Sequence, residues 1–246
     1  MSDEVRRKLY TKSGKGPSEP IPAATVILLR DGAEGLETLM LRRNSKLEFV
    51  GGMWVFPGGR VDPEDWEGVS KDDEQGAARR AAVREAQEEA GLSVVADTLL
   101  PYAHWCPPAI TPKRFLTWFF VARAETGRVE IDGGEIHDHA WMRPTHALER
   151  RDAHEIELAP PTWVTLHELS AWNRVDDALA AVRVRPLEYY TTHIAKTEQG
   201  LMALWHGDAG YEEKDPSRVG ARHRLLMSKD DWVYERSDRP TEGTRA

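Results

Sequence analysis

The chain is poor in cysteine, has no long apolar run and carries no excess of positive charge. A single cysteine, Cys106, stands among 246 residues, which excludes an internal disulfide framework and fits a reducing compartment. It sits beside Pro107 with no metal-ligand spacing around it and reads as a small packing residue. No apolar stretch reaches the roughly 18 residues that a membrane helix needs, and the N-terminus lacks the apolar core of a signal peptide. Lys and Arg number 33 against 41 Asp and Glu, a net charge of −8, so a surface that coats nucleic acid is not expected. The expectation is a cytoplasmic protein without a membrane or nucleic-acid partner. What is there is a hydrophobic fraction of 40% with 9 Trp, enough to fill the core of one large domain or of one domain with an elaborate tail.

Four stretches are expected. Residues 1–20, charged and rich in Gly, Ser, Lys and Pro, read as a flexible lead-in. Residues 21–170 carry the main domain. Residues 171–236 form an extension packed on that domain or at a homodimer interface, and 237–246 form a disordered tail. Within the domain, Ala23–Leu29 and Glu37–Arg42 read as a hairpin, and Met53–Phe56 as a short strand ending at the turn Pro57-Gly58-Gly59. A helix is expected from Asp72 or Asp73, with Asp72 and Gln75 forming a capping box and a row of alanines (Ala77, Ala78, Ala81, Ala82, Ala86) packing closely on a sheet. Leu92–Leu100 and Arg114–Ala124 read as strands, the second central because it is so apolar. His139–Met142 reads as another. Pro144–Arg151, Trp163–Trp172 and Val175–Val182 read as helices, and 200–205, 222–227 and 232–236 as strands. Mixed strands and helices of this kind predict an α+β architecture, a mixed β-sheet between helices with a C-terminal α/β extension.

The end of the long helix is the informative feature. Arg84-Glu85-Ala86-Gln87-Glu88-Glu89-Ala90-Gly91-Leu92 places Glu85, Glu88 and Glu89 at i, i+3 and i+4 on one face. Crowded like charges repel by a few tenths of a kcal/mol per pair, on the order expected for helix neighbours. They also lie near the helix's negative end. A compensating cation is implied, and hard oxygen ligands suit Mg²⁺ or Mn²⁺.

The glycine turn, the helix and the run Arg-Glu-x-x-Glu-Glu-x-Gly-Leu together resemble the box of the Nudix hydrolases, over residues 57–92, with softer likeness from about 22 to about 170. The resemblance implies the Nudix fold and metal-dependent cleavage of a diphosphate bond in a nucleoside-diphosphate-linked metabolite. It implies Glu85, Glu88 and Glu89 as metal ligands, and Glu85, Arg84 and Glu135 as the catalytic group. Arg84 would hold an acidic side chain in place, and Glu135 would act as general base, with His137, Asp138 and His139 as rivals. Gly58, Gly59, Arg42, Arg60 and Trp105 are the substrate-binding candidates. Arg43, Lys46, Lys113 and Arg114 are further cations for the phosphates. The long loop after Phe56-Pro57-Gly58-Gly59-Arg60-Val61-Asp62-Pro63-Glu64-Asp65, with Trp105-x-Pro107-Pro108 and Pro160-Pro161-Thr162, resembles the coenzyme A and acyl-CoA diphosphatase branch. One position departs from the box. Where the family has a glutamate eight residues before the arginine, this chain has Gly76, and Glu74 or an acid among 62–65 is the substitute expected. The alternatives are a catalytically silent Nudix-like nucleotide sensor and a diphosphatase for NADH or ADP-ribose. Thr244-Arg245-Ala246 is not a peroxisomal address.

Overall fold

The computed structural model describes residues 19–45, 51–111, 113–125, 127–229 and 231–237. The expected lead-in up to residue 18, Lys46 and the tail beyond Ser237 lie outside the described residues.

β1 (Ile21–Gly32) is long because it serves two partners. Its first half pairs antiparallel with β4 (Gly58–Arg60), and its end forms the expected hairpin with β2 (Gly35–Arg43). β6 (Phe115–Arg123) lies parallel to β1 along nearly its whole length, with Thr25 opposite Phe119. β5 (Leu100–Cys106) pairs antiparallel with β6. β3 (Trp54–Val55) and β7 (Ile136–Met142) flank β2. The pattern of apolar residues on β1 is almost unbroken, as a strand covered on both faces requires. Ala24, Val26 and Leu28 pack on one side with the helix alanines, while Ile27 and Leu29 enter the larger core on the other.

The long helix, α1 (Glu74–Ala90), lies against β1 through Ala78, Ala81, Ala82 and Ala86. Small side chains let its backbone come close to the sheet. Asp73 is the N-cap, not Asp72. Its carboxylate accepts from the Gly76 amide at 2.8 Å, and no capping box with Gln75 forms. Gly91 closes the helix at φ 66°. The strand expected over Leu92–Leu100 is absent. A 3-10 turn occupies Ala96–Thr98, and the strand starts only at Leu100 and runs on to Cys106.

α2 (Pro144–Asp152) and α3 (Pro160–Leu169) begin with proline in the first turn, and α4 (Val175–Val184) follows. β8 (Glu188–Thr191) then returns to the main sheet, parallel to β5. β9 (His193–Lys196), β10 (Gly200–Leu204), β11 (His223–Ser228) and β12 (Trp232–Arg236) build a second antiparallel sheet. One core runs through both parts of the chain. Ile27, Trp105 and Trp163 share it with Tyr190, Trp205, Leu225 and Trp232. Among the described residues no helix is long and apolar enough to cross a membrane.

Candidate active site

The C-terminal turns of α1, the glycine strand β4, the end of β2 and the 132–135 turn meet at one cavity of about 950 Å³. Of the residues expected there, Gly58, Gly59, Arg60, Arg84, Glu85, Glu88, Glu89, Trp105 and Glu135 line it. Arg42 does not. It alternates away from the cavity and is exposed, and its neighbour Arg43 takes the inward place. The alternation of a strand decides this, since successive side chains point to opposite faces. His137 and Asp138 are exposed, and these two and His139 are not part of the lining, whereas Glu135 is.

Glu85, Glu89 and Glu135 line the same cavity and repel one another electrostatically. Glu89 is 5% exposed. Its Oε2 accepts the Gly58 amide at 2.9 Å, and its Oε1 lies 3.7 Å from Arg43 Nη1. Arg43 Nη2 also reaches Glu135 Oε2 at 3.1 Å, so one guanidinium spans two acids from different elements. Burial pushes the Glu89 carboxyl up to about 8, and Glu85 and Glu135 add to that rise against the pull of the Gly58 amide and Arg43. Burial raises Glu85 as well, opposed by Arg84 and reinforced by Glu88 and Glu135. The strand β4 passes close to β1 and to these acids: a Cβ on Gly58 would run into the Ala24 carbonyl and the Thr25 backbone, and one on Gly59 would meet the Glu85 carboxylate.

Arg84 is a brace. Its Nη1 donates to Glu85 Oε1 and Glu88 Oε2, each at 2.9 Å. Its Nη2 donates to the Arg60 carbonyl and to Asp65 Oδ2, each at 3.0 Å, with Asp62 at 3.5 Å. Burial pulls the guanidinium down, but the Asp65 and Glu85 contacts outweigh it and hold Arg84 above its ordinary value. Asp62 and Asp65 therefore serve Arg84. Asp65 is itself buried and also caps the 3-10 turn Pro63–Trp66. Glu74 and Gly76 sit at the far end of α1, with Gly76 about 13 Å from Glu85 at 1.5 Å per residue. Neither belongs to the carboxylate group. A Cβ on Gly76 would meet the Asp73 cap carboxylate, which would have to shift.

The described residues hold no ready-made set of three metal ligands. Glu88 is turned outward to Arg84, with its side chain 58% exposed. The donor chemistry nevertheless fits a divalent cation. Glu89 is a buried and Glu85 a half-buried oxygen donor, and a cation would relieve their mutual repulsion and desolvation. Asp132, which lines the cavity, was not singled out by the sequence. Its carboxylate accepts the Glu135 and Ile136 amides at 2.8 and 2.9 Å, and the Asp-Gly-Gly turn was its signal.

The NUDIX domain model matches residues 19–160. The chain belongs to the Nudix hydrolase family. Nudix hydrolase 7 of Caenorhabditis elegans is 26% identical, over 67% of this chain and 64% of that protein. The peroxisomal coenzyme A diphosphatase ndx-8 of the same organism is 33% identical over 40% of this chain and 39% of its own length. The acyl-coenzyme A diphosphatase NUDT19 of Gallus gallus is 30% identical over 50% of this chain and 33% of its own. The chain thus spans less than two thirds of each relative. A crystal structure of a Nudix hydrolase from Alicyclobacillus acidocaldarius superposes with a TM-score of 0.61 at 24% identity, over 69% of this chain and 99% of that one. It supports the Nudix fold, with its mixed sheet and flanking helices.

Proposed function

We propose that this Nudix protein hydrolyses the diphosphate bond of coenzyme A or an acyl-CoA-like molecule with the help of Mg²⁺ or Mn²⁺. The observation that carries the reading is the meeting of Glu85, Glu89 and Glu135 at one cavity, which Arg43, Arg60 and Arg84 also line. The names of two relatives, ndx-8 and NUDT19, support coenzyme A over other diphosphates. Glu85 and Glu89 would hold the ion, with Glu88 at the margin. When bound, the ion would neutralise charge on the phosphate oxygens and lower the pKa of an attacking water.

The chain's own groups have distinct tasks. Arg84 fixes Glu85 and the β4 carbonyl of Arg60, so it positions the ligands and leaves the substrate to others. Arg43 holds Glu89 and Glu135 apart at a set spacing. Glu135, exposed at the cavity mouth, takes the proton from the water that attacks phosphorus. Gly58 and Gly59 let substrate phosphates approach β4 closely. The products expected from coenzyme A are 3′,5′-ADP and 4′-phosphopantetheine.

The test is incubation of the purified chain with Mg²⁺ and coenzyme A, NADH, ADP-ribose and a diadenosine polyphosphate in ¹⁸O water, with products read by mass spectrometry. Coenzyme A should be cleaved fastest, with one ¹⁸O in a phosphate product. Binding without cleavage across the panel would leave a nucleotide sensor in its place.

A further inference from the structure

The cavity extends well beyond the carboxylates. Arg60, Ala23, Thr117 and Trp105 are register partners on four successive strands, and all four line it. At about 4.8 Å per strand, Trp105 lies roughly 14 Å from the glycine strand. That is about four extended peptide units. The walls at this far end come from Pro107, Pro108, Thr111, Pro161, Thr192 and Trp205. Carboxylates are absent from this set, and its one charged neighbour in the lining, Lys113, is exposed. Thr192 and Trp205 lie beyond the region matched by the family model, which ends at residue 160.

The far end is not built for a nucleobase. Trp105 stacks flat on Tyr190, with ring centroids 3.8 Å apart and planes at 4°, and meets Trp205 edge-on. Only 4% of Trp105 and none of Trp205 is exposed, so neither offers a free ring face. The Trp205 Nε1–H is already spent on Thr192 Oγ1 at 3.0 Å. Among the described residues two polar groups here have no hydrogen-bond partner, the Trp105 indole N–H and the hydroxyl of Thr111, which is 5% exposed. Buried polar groups without a partner call for an explanation.

We propose that this far end is a second subsite, completed by Thr192 and Trp205, for an uncharged and largely apolar arm of the substrate that bears a carbonyl. The Thr111 hydroxyl donates to that carbonyl. The arm leaves the diphosphate at β4 and runs across β1, β6 and β5. The proposal rests on the diphosphatase reading for what the other end of the ligand is, but the arm can be probed by itself.

The experiment compares kcat/KM for coenzyme A, which has such an arm, with that for ADP-ribose, which does not. Thr111→Val removes the donor at nearly constant volume, and Thr192→Met fills the wall. In Thr111→Val the preference for coenzyme A should fall about three- to tenfold, as for one lost hydrogen bond, with the change confined to KM and the melting temperature kept. Thr192→Met should reduce it at least as much. An unchanged preference in both variants would overturn the subsite. Should the wild type cleave no diphosphate, the activity reading fails alone, and calorimetry with pantetheine decides the subsite. Measurable binding that weakens in Thr111→Val supports it, and no binding by the wild type refutes it.

Discussion

Glu89 bears the greatest electrostatic load in the site, because it is buried and shares the cavity with Glu85 and Glu135. Its carboxyl is raised from 4.5 to about 8, so between those values the folded chain holds a proton that the unfolded chain has released. The sign follows: in the metal-free protein this contribution to stability is complete below pH 4.5 and is lost as the pH rises through 8. Thermal melts in EDTA from pH 5 to pH 9 should show that decline, and Glu89→Gln should flatten it. Equal slopes in the two proteins would show that another group is responsible. A divalent ion must displace the same proton, so metal affinity should rise with pH over the same interval. Glu85→Gln and Glu89→Gln should each lower kcat by about two to three orders of magnitude, the scale of a lost transition-state charge contact. Near-normal turnover in either would refute the ligand assignment. Arg84→Lys tests the brace separately. A lysine cannot span Asp65, Glu85, Glu88 and the Arg60 carbonyl with one planar fork. We expect a loss of about 1–3 kcal/mol, below the 3–5 typical of a fully buried pair because Arg84 is partly exposed, and weaker metal binding measured by calorimetry. Metal affinity equal to wild type would mean that Arg84 does not position the ligands.

At the scale of elements, α1 delivers the carboxylates, and its cap lies at the opposite end. Asp73→Ala should cost about 1 kcal/mol, the usual value for an N-cap, read as a lower denaturation midpoint. Its kcat should be unchanged, since Asp73 is roughly 18 Å from Glu85 along the helix. A loss of activity without loss of stability would contradict that separation. This helix was legible in the sequence because its signals are local: alanines at helical spacing, an acidic cap, Gly91 as the stop. β1 and β6 were legible as apolar runs. The 92–100 segment was not. Its apolar residues suggested a strand, yet Ala96–Thr98 turns, and pairing begins only where β6 is available as a partner from Leu100. Long-range pairing also decides β4, where Gly58–Arg60 looked like a turn and is held as a strand by β1. Arg42 and Arg43 illustrate the same limit at single-residue resolution, because sequence marked both as cations while the register of β2 selects Arg43.

On the scale of the whole molecule, the region after α4 could be a separable arm for dimerisation or part of the fold. Its packing favours the second. Tyr190 stacks on Trp105 of β5, Trp205 is fully buried between them and the second sheet, and β8 completes the edge of the main sheet. Glu168 on α3 ties these parts together, accepting the hydroxyls of Tyr102 at 2.7 Å and Tyr190 at 3.1 Å and pairing with Arg185 at 3.2 Å. Removing residues 186–246 would bare the Trp105 side of the core, take away the Tyr190 partner of Glu168 and leave β5 as an open edge. The truncated chain should therefore lose cooperative melting, whereas an independent arm would leave it intact. Trp205→Ala is the finer version of the same test. A large aromatic removed from a filled core costs about 3–5 kcal/mol. Full-length protein carrying that substitution should melt far lower at unchanged oligomeric state in gel filtration. A change of oligomeric state with the melting point preserved would instead assign the segment to an interface between copies of the chain.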